Sequence, residues 1–195
     1  MNTVNSIGIY LTQTVLGLYM LIMVMRFVLQ LVMADFYNPI SQFLVKATNP
    51  IVLPLRKFLP ARGRFDAASL VLAILLQVIT IVVLLAMLGY SPPSVSKLLA
   101  WSVVGIVGLL LKIYFFALLG SIILSWVAPG SSNPAAYLLY QITEPIMAPV
   151  RSLLPAMGGI DFSPILLFIL INILEIVLRD LAAGLQVPAQ LVMGI

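Results

Sequence analysis

The hydrophobic pattern along the chain is continuous rather than alternating. Apolar runs cover roughly 7–33, 67–88, 98–127 and 160–178. The first is interrupted by Arg26 and Gln30, the second carries Gln77, the third is broken by Lys112, and the fourth carries Asn172 and Glu175. Each run approaches or exceeds the roughly 20 residues that a helix needs to cross a hydrocarbon core. A membrane barrel would show alternating segments of about 10 residues instead. The pattern predicts an all-α polytopic membrane protein with four transmembrane helices. The first run has no basic n-region and is too long for a signal peptide's apolar stretch, so it reads as a retained span.

The connections differ in kind. Residues 89–96 form a short turn, Gly-Tyr-Ser-Pro-Pro-Ser at its centre, whereas the links over 34–66 and 128–161 are long and rich in proline. Basic residues gather in the first long link, at Lys46, Arg56, Lys57, Arg62 and Arg64; the second carries Arg151. The opposite side has Lys97 and, at its boundary, Arg179. That asymmetry puts both long links in the cytoplasm and both termini outside.

Sliding the chain along itself shows a repeat at an offset of 95 residues. Asn38 and Pro39 fall on Asn133 and Pro134; Thr48, Pro50 and Pro54 on Thr143, Pro145 and Pro149; Arg56, Pro60 and Asp66 on Arg151, Pro155 and Asp161. Over 29 gapless positions there are 13 identities, against about two or three by chance at ordinary composition. The chain divides into units over 1–95 and 96–195, each a span, a proline-rich link and a span. Two spans return the chain to its starting side, so the units are tandem and parallel, related by a pseudo-twofold axis along the membrane normal.

Within the link, Ile40, Phe43, Leu44 and Ala47 share one face of a short amphipathic helix, echoed by Leu138, Leu139 and Ile142. Such a helix lies either at the cytoplasmic interface or across the bundle mouth. Thr48 and Asn49 before Pro50 read as a fresh N-cap, and Pro54 forbids a regular continuation. The segment from Thr48 to Pro54 is expected to be a buried elbow, with a re-entrant loop as the alternative.

Composition narrows the chemistry further. The chain of 195 residues is 63% hydrophobic and 8% charged, with a mean hydropathy of +1.19; a soluble domain is about a quarter charged. Ten cations against six anions are too sparse for a nucleic-acid surface. There is no cysteine and no histidine, which removes thiolate chemistry, the usual general base and the commonest metal ligand. No phosphate loop or hydrolase elbow occurs. Ser121 and Ser125 lie about 13–20 Å along the helix from Lys112, too far for a Ser-Lys pair. Neither a cofactor nor catalysis is expected.

The doubled run of Asn38-Pro39, Thr48-Asn49-Pro50, Pro54-Leu55-Arg56, Pro60 and Gly63 with Asp66 resembles the YggT (YlmG) family of small bacterial inner-membrane proteins, which has plastid relatives. The resemblance covers essentially the whole chain. It implies an inner-membrane, multi-pass location and a non-enzymatic role in organising or assembling envelope or cell-division components, with a link to osmotic stress. Plastid relatives are associated with cytochrome b6f haem maturation and nucleoid organisation. The alternative is a small oligomeric channel or transporter for ions or small solutes. The expected partners are the bilayer and other envelope membrane proteins, and on the channel reading a second copy of the chain, because four spans enclose little room. The second unit departs from the first: Glu144 replaces Asn49, and nothing matches Arg62 and Arg64.

Candidate sites follow from the charges. Asp66 and Asp161 each open a span, where a carboxylate can cap free amides and pair with Arg56 or Arg151. The region from Arg56 to Arg64 is a candidate for an anionic lipid headgroup. Gln77 and Asn172 are equivalent positions about 16 Å deep, and both are expected to face the bundle interior near the pseudo-twofold axis. Lys112 and Glu175 sit at similar depths in consecutive spans and are expected to pair; the competing arrangement lets Lys112 snorkel and joins Glu175 to Arg179.

Overall fold

Apolar runs of this length cannot leave backbone amides unpaired in hydrocarbon, and every one of them is helical. A computed structural model describes residues 3–128, 130, 133–153 and 161–195. It contains α1 (Thr3–Leu31), α2 (Pro39–Arg56), α3 (Ala67–Leu88), α4 (Val95–Val127), α5 (Pro134–Leu153) and α6 (Ser163–Gly184). Among the described residues no strand forms, and an isolated bridge between Arg62 and Phe65 closes the turn before α3. Three helices, α1, α3 and α4, are long and apolar enough to cross a membrane. The fourth apolar run is helical as well, but α6 carries Glu175, Arg179 and Asp180 in its second half. The helix over 7–33 begins earlier than its apolar run, at Thr3, and ends at Leu31.

The links depart from expectation. Each holds one continuous helix that runs through both of its prolines: Pro50 and Pro54 in α2, Pro145 and Pro149 in α5. No elbow or re-entrant loop interrupts the stretch from Thr48 to Pro54. A proline removes one helical donor and crowds the carbonyl a turn earlier. Here neighbouring side chains serve the carbonyls beside the interruption. The Tyr19 hydroxyl donates to the Ala47 carbonyl at 3.3 Å, and Arg26 Nη1 donates to that of Val45 at 3.2 Å. The Thr48 hydroxyl donates to Leu44 at 2.7 Å, and Thr143 does the same for Leu139 at 2.8 Å. The cap lies at the start of each helix, where Asn38 accepts from the Ile40 amide and Asn133 from the Ala135 amide. Pro39 and Pro134 follow at the first helical position, where a missing N–H costs nothing.

The buried face of α2 is also rotated from the predicted stripe. Ser41, Leu44, Thr48 and Val52 point inward, and Ile40 and Phe43 are exposed. Thr48 and Asn49 have to meet Arg26 of α1, and that polar requirement sets the rotation. The two link helices meet at one end of the bundle. Asn38 donates to the Pro134 carbonyl at 2.7 Å, and the Asp35 amide donates to Gln141 Oε1 at 3.0 Å.

Residues 185–195, beyond α6, turn back into the bundle. Leu191 and Val192 are buried, and Gln13 of α1 donates to the Gln190 carbonyl at 2.7 Å. The indole of Trp101 donates to the Leu185 carbonyl at 3.0 Å. Glycines make the room: Met193 packs on Gly17, and the Gly194 backbone lies against Gly105 and Gly108 of α4. Gly194 itself has a φ of 104°, a conformation open to glycine. A side chain on Gly108 would collide with the Gly194 carbonyl. Gly108→Val is therefore expected to expel residues 191–195 while leaving the helices intact, read as new protease cleavage in that segment with unchanged far-ultraviolet circular dichroism.

Candidate functional site

The equivalent arginine–aspartate pairs form in both units, with different surroundings. In the first unit Asp66 caps α3, accepting from the Ser69 amide at 3.5 Å and from its hydroxyl. The same carboxylate takes Arg56 Nη2 at 2.6 Å and lies 3.9 Å from Arg26 Nε. The Asp66 side chain is 0% exposed and that of Arg26 is 3% exposed. Arg26 Nη1 donates to the Thr48 hydroxyl at 2.6 Å and to Asn49 Oδ1 at 2.9 Å. One residue of α1 thus ties the proline-bearing helix to the start of α3. The turn between them is held down as well, because Gln30 donates to the Gly63 carbonyl at 2.9 Å and Phe27 meets Phe65 edge-on.

In the second unit Ser121 stands at the position of Arg26, and its hydroxyl turns to its own helix. Arg151 does the work of both arginines. It donates through Nη1 to Glu144 at 2.9 Å and through Nε to Asp161 at 3.0 Å. The change from Asn49 to Glu144 supplies the extra acceptor. The first cluster holds two arginines and one carboxylate, the second one arginine and two carboxylates. The second is also open to solvent, with Arg151 45% and Asp161 38% exposed.

Burial pushes the Asp66 carboxyl up, but hydrogen bonds from Arg56 and Ser69 outweigh it and hold the group below the ordinary aspartate range. Asp161 is lowered too, first by the Ser163 hydroxyl, against a desolvation that raises it, and then by the Ser163 amide and Arg151. Arg151 is raised by its hydrogen bonds to Glu144 and Asp161.

The remaining candidates separate. Arg56 is committed to Asp66, while Lys57, Arg62 and Arg64 stay exposed, so the basic region is two features and not one. Pro60 is exposed; its equivalent Pro155 lies outside the described residues. Gln77 is 0% exposed, as expected of an interior amide, and neither its oxygen nor its nitrogen has a partner among the described residues. Asn172 does not follow it inward. It is exposed and donates to the Phe168 carbonyl of its own helix at 2.7 Å, because no helix covers that face of α6.

The expected pair between Lys112 and Glu175 does not form. Glu175 takes Arg179, four positions on, at 3.2 Å. The Lys112 ammonium is 3.5 Å from the Ile195 backbone oxygen, supplied by the returning segment that the sequence pattern did not show. Lys112 also borders an apolar groove of about 540 Å³ between α1, α4 and α5, lined by Met25, Ile113, Phe116 and Ile142. Sequence reasoning also missed the roles of Tyr19 and Ser69; a hydroxyl three residues into a helix opened by aspartate was the available signal for Ser69.

Removing one partner from a buried ion pair costs about 3–5 kcal/mol, whereas an exposed pair contributes about 0–1 kcal/mol. Asp66→Asn should therefore lower the melting temperature in detergent far more than Asp161→Asn does. Because the folded-state pKa of Asp66 is depressed, its stabilisation is present above the unfolded value of about 3.9 and is lost as the pH falls through the lower folded value. Acid melts should show that loss below about pH 4 in the parent protein, and Asp66→Asn should remove its share.

No solved structure matches the chain. Among known proteins it is 50% identical to an uncharacterised protein of Pseudomonas aeruginosa over 96% of both chains. It is 41% identical to the uncharacterised protein YggT of Escherichia coli K12, over 90% of this chain and 88% of that one. The chloroplast protein CCB3 of Arabidopsis thaliana, whose name describes cofactor assembly of complex C, is 31% identical over 44% of this chain and 48% of its own length. The CCB3/YggT family model matches residues 5–87 and 100–182, two ranges whose limits differ by the repeat offset. With its doubled proline-bearing link helices and paired arginine–aspartate clusters, the chain belongs to the CCB3/YggT family.

Proposed function

We propose that this protein is a non-enzymatic, multi-pass inner-membrane protein whose two link helices form a platform for organising or assembling other envelope membrane components. In this reading α1, α3, α4 and α6 are four spans in two parallel repeats, with both links in the cytoplasm. The observation that carries it is the direct joining of α2 and α5 through Asn38 and Pro134 at one end of the bundle. Around that junction Phe36, Tyr37, Phe43, Tyr137 and Tyr140 are all exposed. An aromatic and apolar rim on a helix beside lysine and arginine is the composition of a membrane-interface element or a protein-docking surface. The polar residues of the motif are meanwhile consumed in bonds to one another, which suits a scaffold. The word assembly in the name of the chloroplast relative agrees with this role. Lys57, Arg62 and Arg64 are free to meet anionic headgroups.

A channel or transporter is the second reading, favoured by the buried amide of Gln77, which has no partner among the described residues, and by Lys112 within the bundle. The two readings separate on purification in mild detergent followed by reconstitution. The platform role predicts co-purifying envelope proteins that are lost when Phe43 and Tyr137 are both changed to Glu, with no ion or solute flux in liposomes. Flux that survives those substitutions would favour the channel. Reporter fusions at Arg62 and Gly158 should both report cytoplasm, and an exterior signal at either would overturn the parallel repeat.

A further inference from the structure

The repeat makes the two halves of the chain comparable position by position, and the comparison exposes a missing contact. In the first unit α3 packs on α4, the first helix of the next unit. Ile81, Leu84 and Leu85 of α3 form a buried cluster with Leu98 and Trp101 of α4. Deeper in the same interface, the Gln77 amide lies against Gly105; a Cβ built there would be 3.2 Å from Gln77 Nε2. The equivalent contact would join α6 to α1, and these two helices make no comparable contact within the chain. The returning segment occupies α1 from Gln13 to Gly17 and keeps them apart.

Both halves of that unmade interface are bare. The α6 residues equivalent to Gln77, Ile81, Leu84 and Leu85 are Asn172, Ile176, Arg179 and Asp180, and all four are exposed. The α1 residues equivalent to Leu98, Trp101 and Gly105 are Thr3, Ser6 and Tyr10, and these are exposed as well, Tyr10 at 67%. The chemistry has changed on both sides in step. The amide and Ile176 are kept, but where α3 and α4 offer leucines and tryptophan, α6 offers Arg179 and Asp180, and α1 offers the hydroxyls of Thr3, Ser6 and Tyr10. An amide facing hydrocarbon lacks an interhelical partner that hydroxyls can supply.

We infer that a second copy of this chain completes the interface, with the outer half of α6 in one copy lying antiparallel to the first turns of α1 in the other. Asn172 then meets Tyr10, and Arg179 and Asp180 meet Ser6 and Thr3 near the membrane boundary. The contact continues, between copies, the packing that α3 and α4 already make within one. It rests on the four-span, parallel-repeat reading, because only then does α6 cross the membrane antiparallel to α1, so that two copies inserted alike can pair these helices. A twofold axis along the membrane normal uses both bare faces of both copies, so the dimer closes and does not propagate.

The chain has no cysteine, so single cysteines report without background. Tyr10→Cys and Asn172→Cys, both at exposed positions, are co-expressed on differently tagged full-length copies and oxidised in native membranes. A disulfide-linked heterodimer several-fold more abundant than with the control pair Tyr10→Cys and Phe116→Cys is expected. Three results overturn the inference: yields equal to the control, links that form only between two Asn172→Cys or two Tyr10→Cys copies, or a link that forms only within one chain when both cysteines are placed together. Labelling of Arg62→Cys with a membrane-impermeant maleimide runs alongside. Protection from outside with no crosslink rejects the dimer alone, whereas labelling from outside rejects the four-span reading beneath it.

Discussion

A single buried carboxylate organises the first half of this molecule. Asp66 must cap α3, answer Arg56 at the end of α2 and neutralise Arg26 from α1, all without water. A buried charge left alone is far more costly than one that is paired and hydrogen-bonded. The three helices therefore cannot shift independently. Arg26 transmits the constraint, because its guanidinium also fills the acceptors of Thr48 and Asn49 where prolines have weakened the helix. Fold and motif are in this sense one object, and in α2 an arginine and a tyrosine of α1 serve carbonyls beside the prolines.

The second unit solves the same problem with a different distribution of charge. One arginine bridges two acids at the surface. Exposed bonds of this kind are screened by salt and exchange with water. The two halves thus combine a rigid, dry anchor with a more adaptable counterpart, and the direct bond between the link helices couples them.

Much of this is legible in the sequence. The apolar runs predict helices at nearly the observed places, and the recurrence of Arg56 with Asp66 and of Arg151 with Asp161 predicts both ion pairs. The proline reading fails for a reason that no local rule contains. Carbonyls beside the prolines are served in α2 from α1, about 20 positions or more away, and in α5 by Thr143 of the same helix, and neither bond is visible in the proline spacing itself. Depth alone matches Lys112 to Glu175, yet depth does not say which way a helix faces, and a partner four residues along the same helix needs no such alignment. Equivalence with Gln77 points Asn172 inward, but equivalent residues share an environment only where their neighbours are repeated too.

The segment beyond α6 carries a consequence for how the molecule is made. Its backbone enters between helices separated by nearly half the chain, against glycines of both α1 and α4. Ribosomes deliver residues in order, so these are the last of the described residues to emerge, after every helix that forms their cleft. Until they arrive, Gly17 lacks its contact with Met193, and Gly105 and Gly108 lack theirs with the Met193 and Gly194 backbone. Closing the seam between α1 and α4 is then a late step of maturation, set by the order of synthesis.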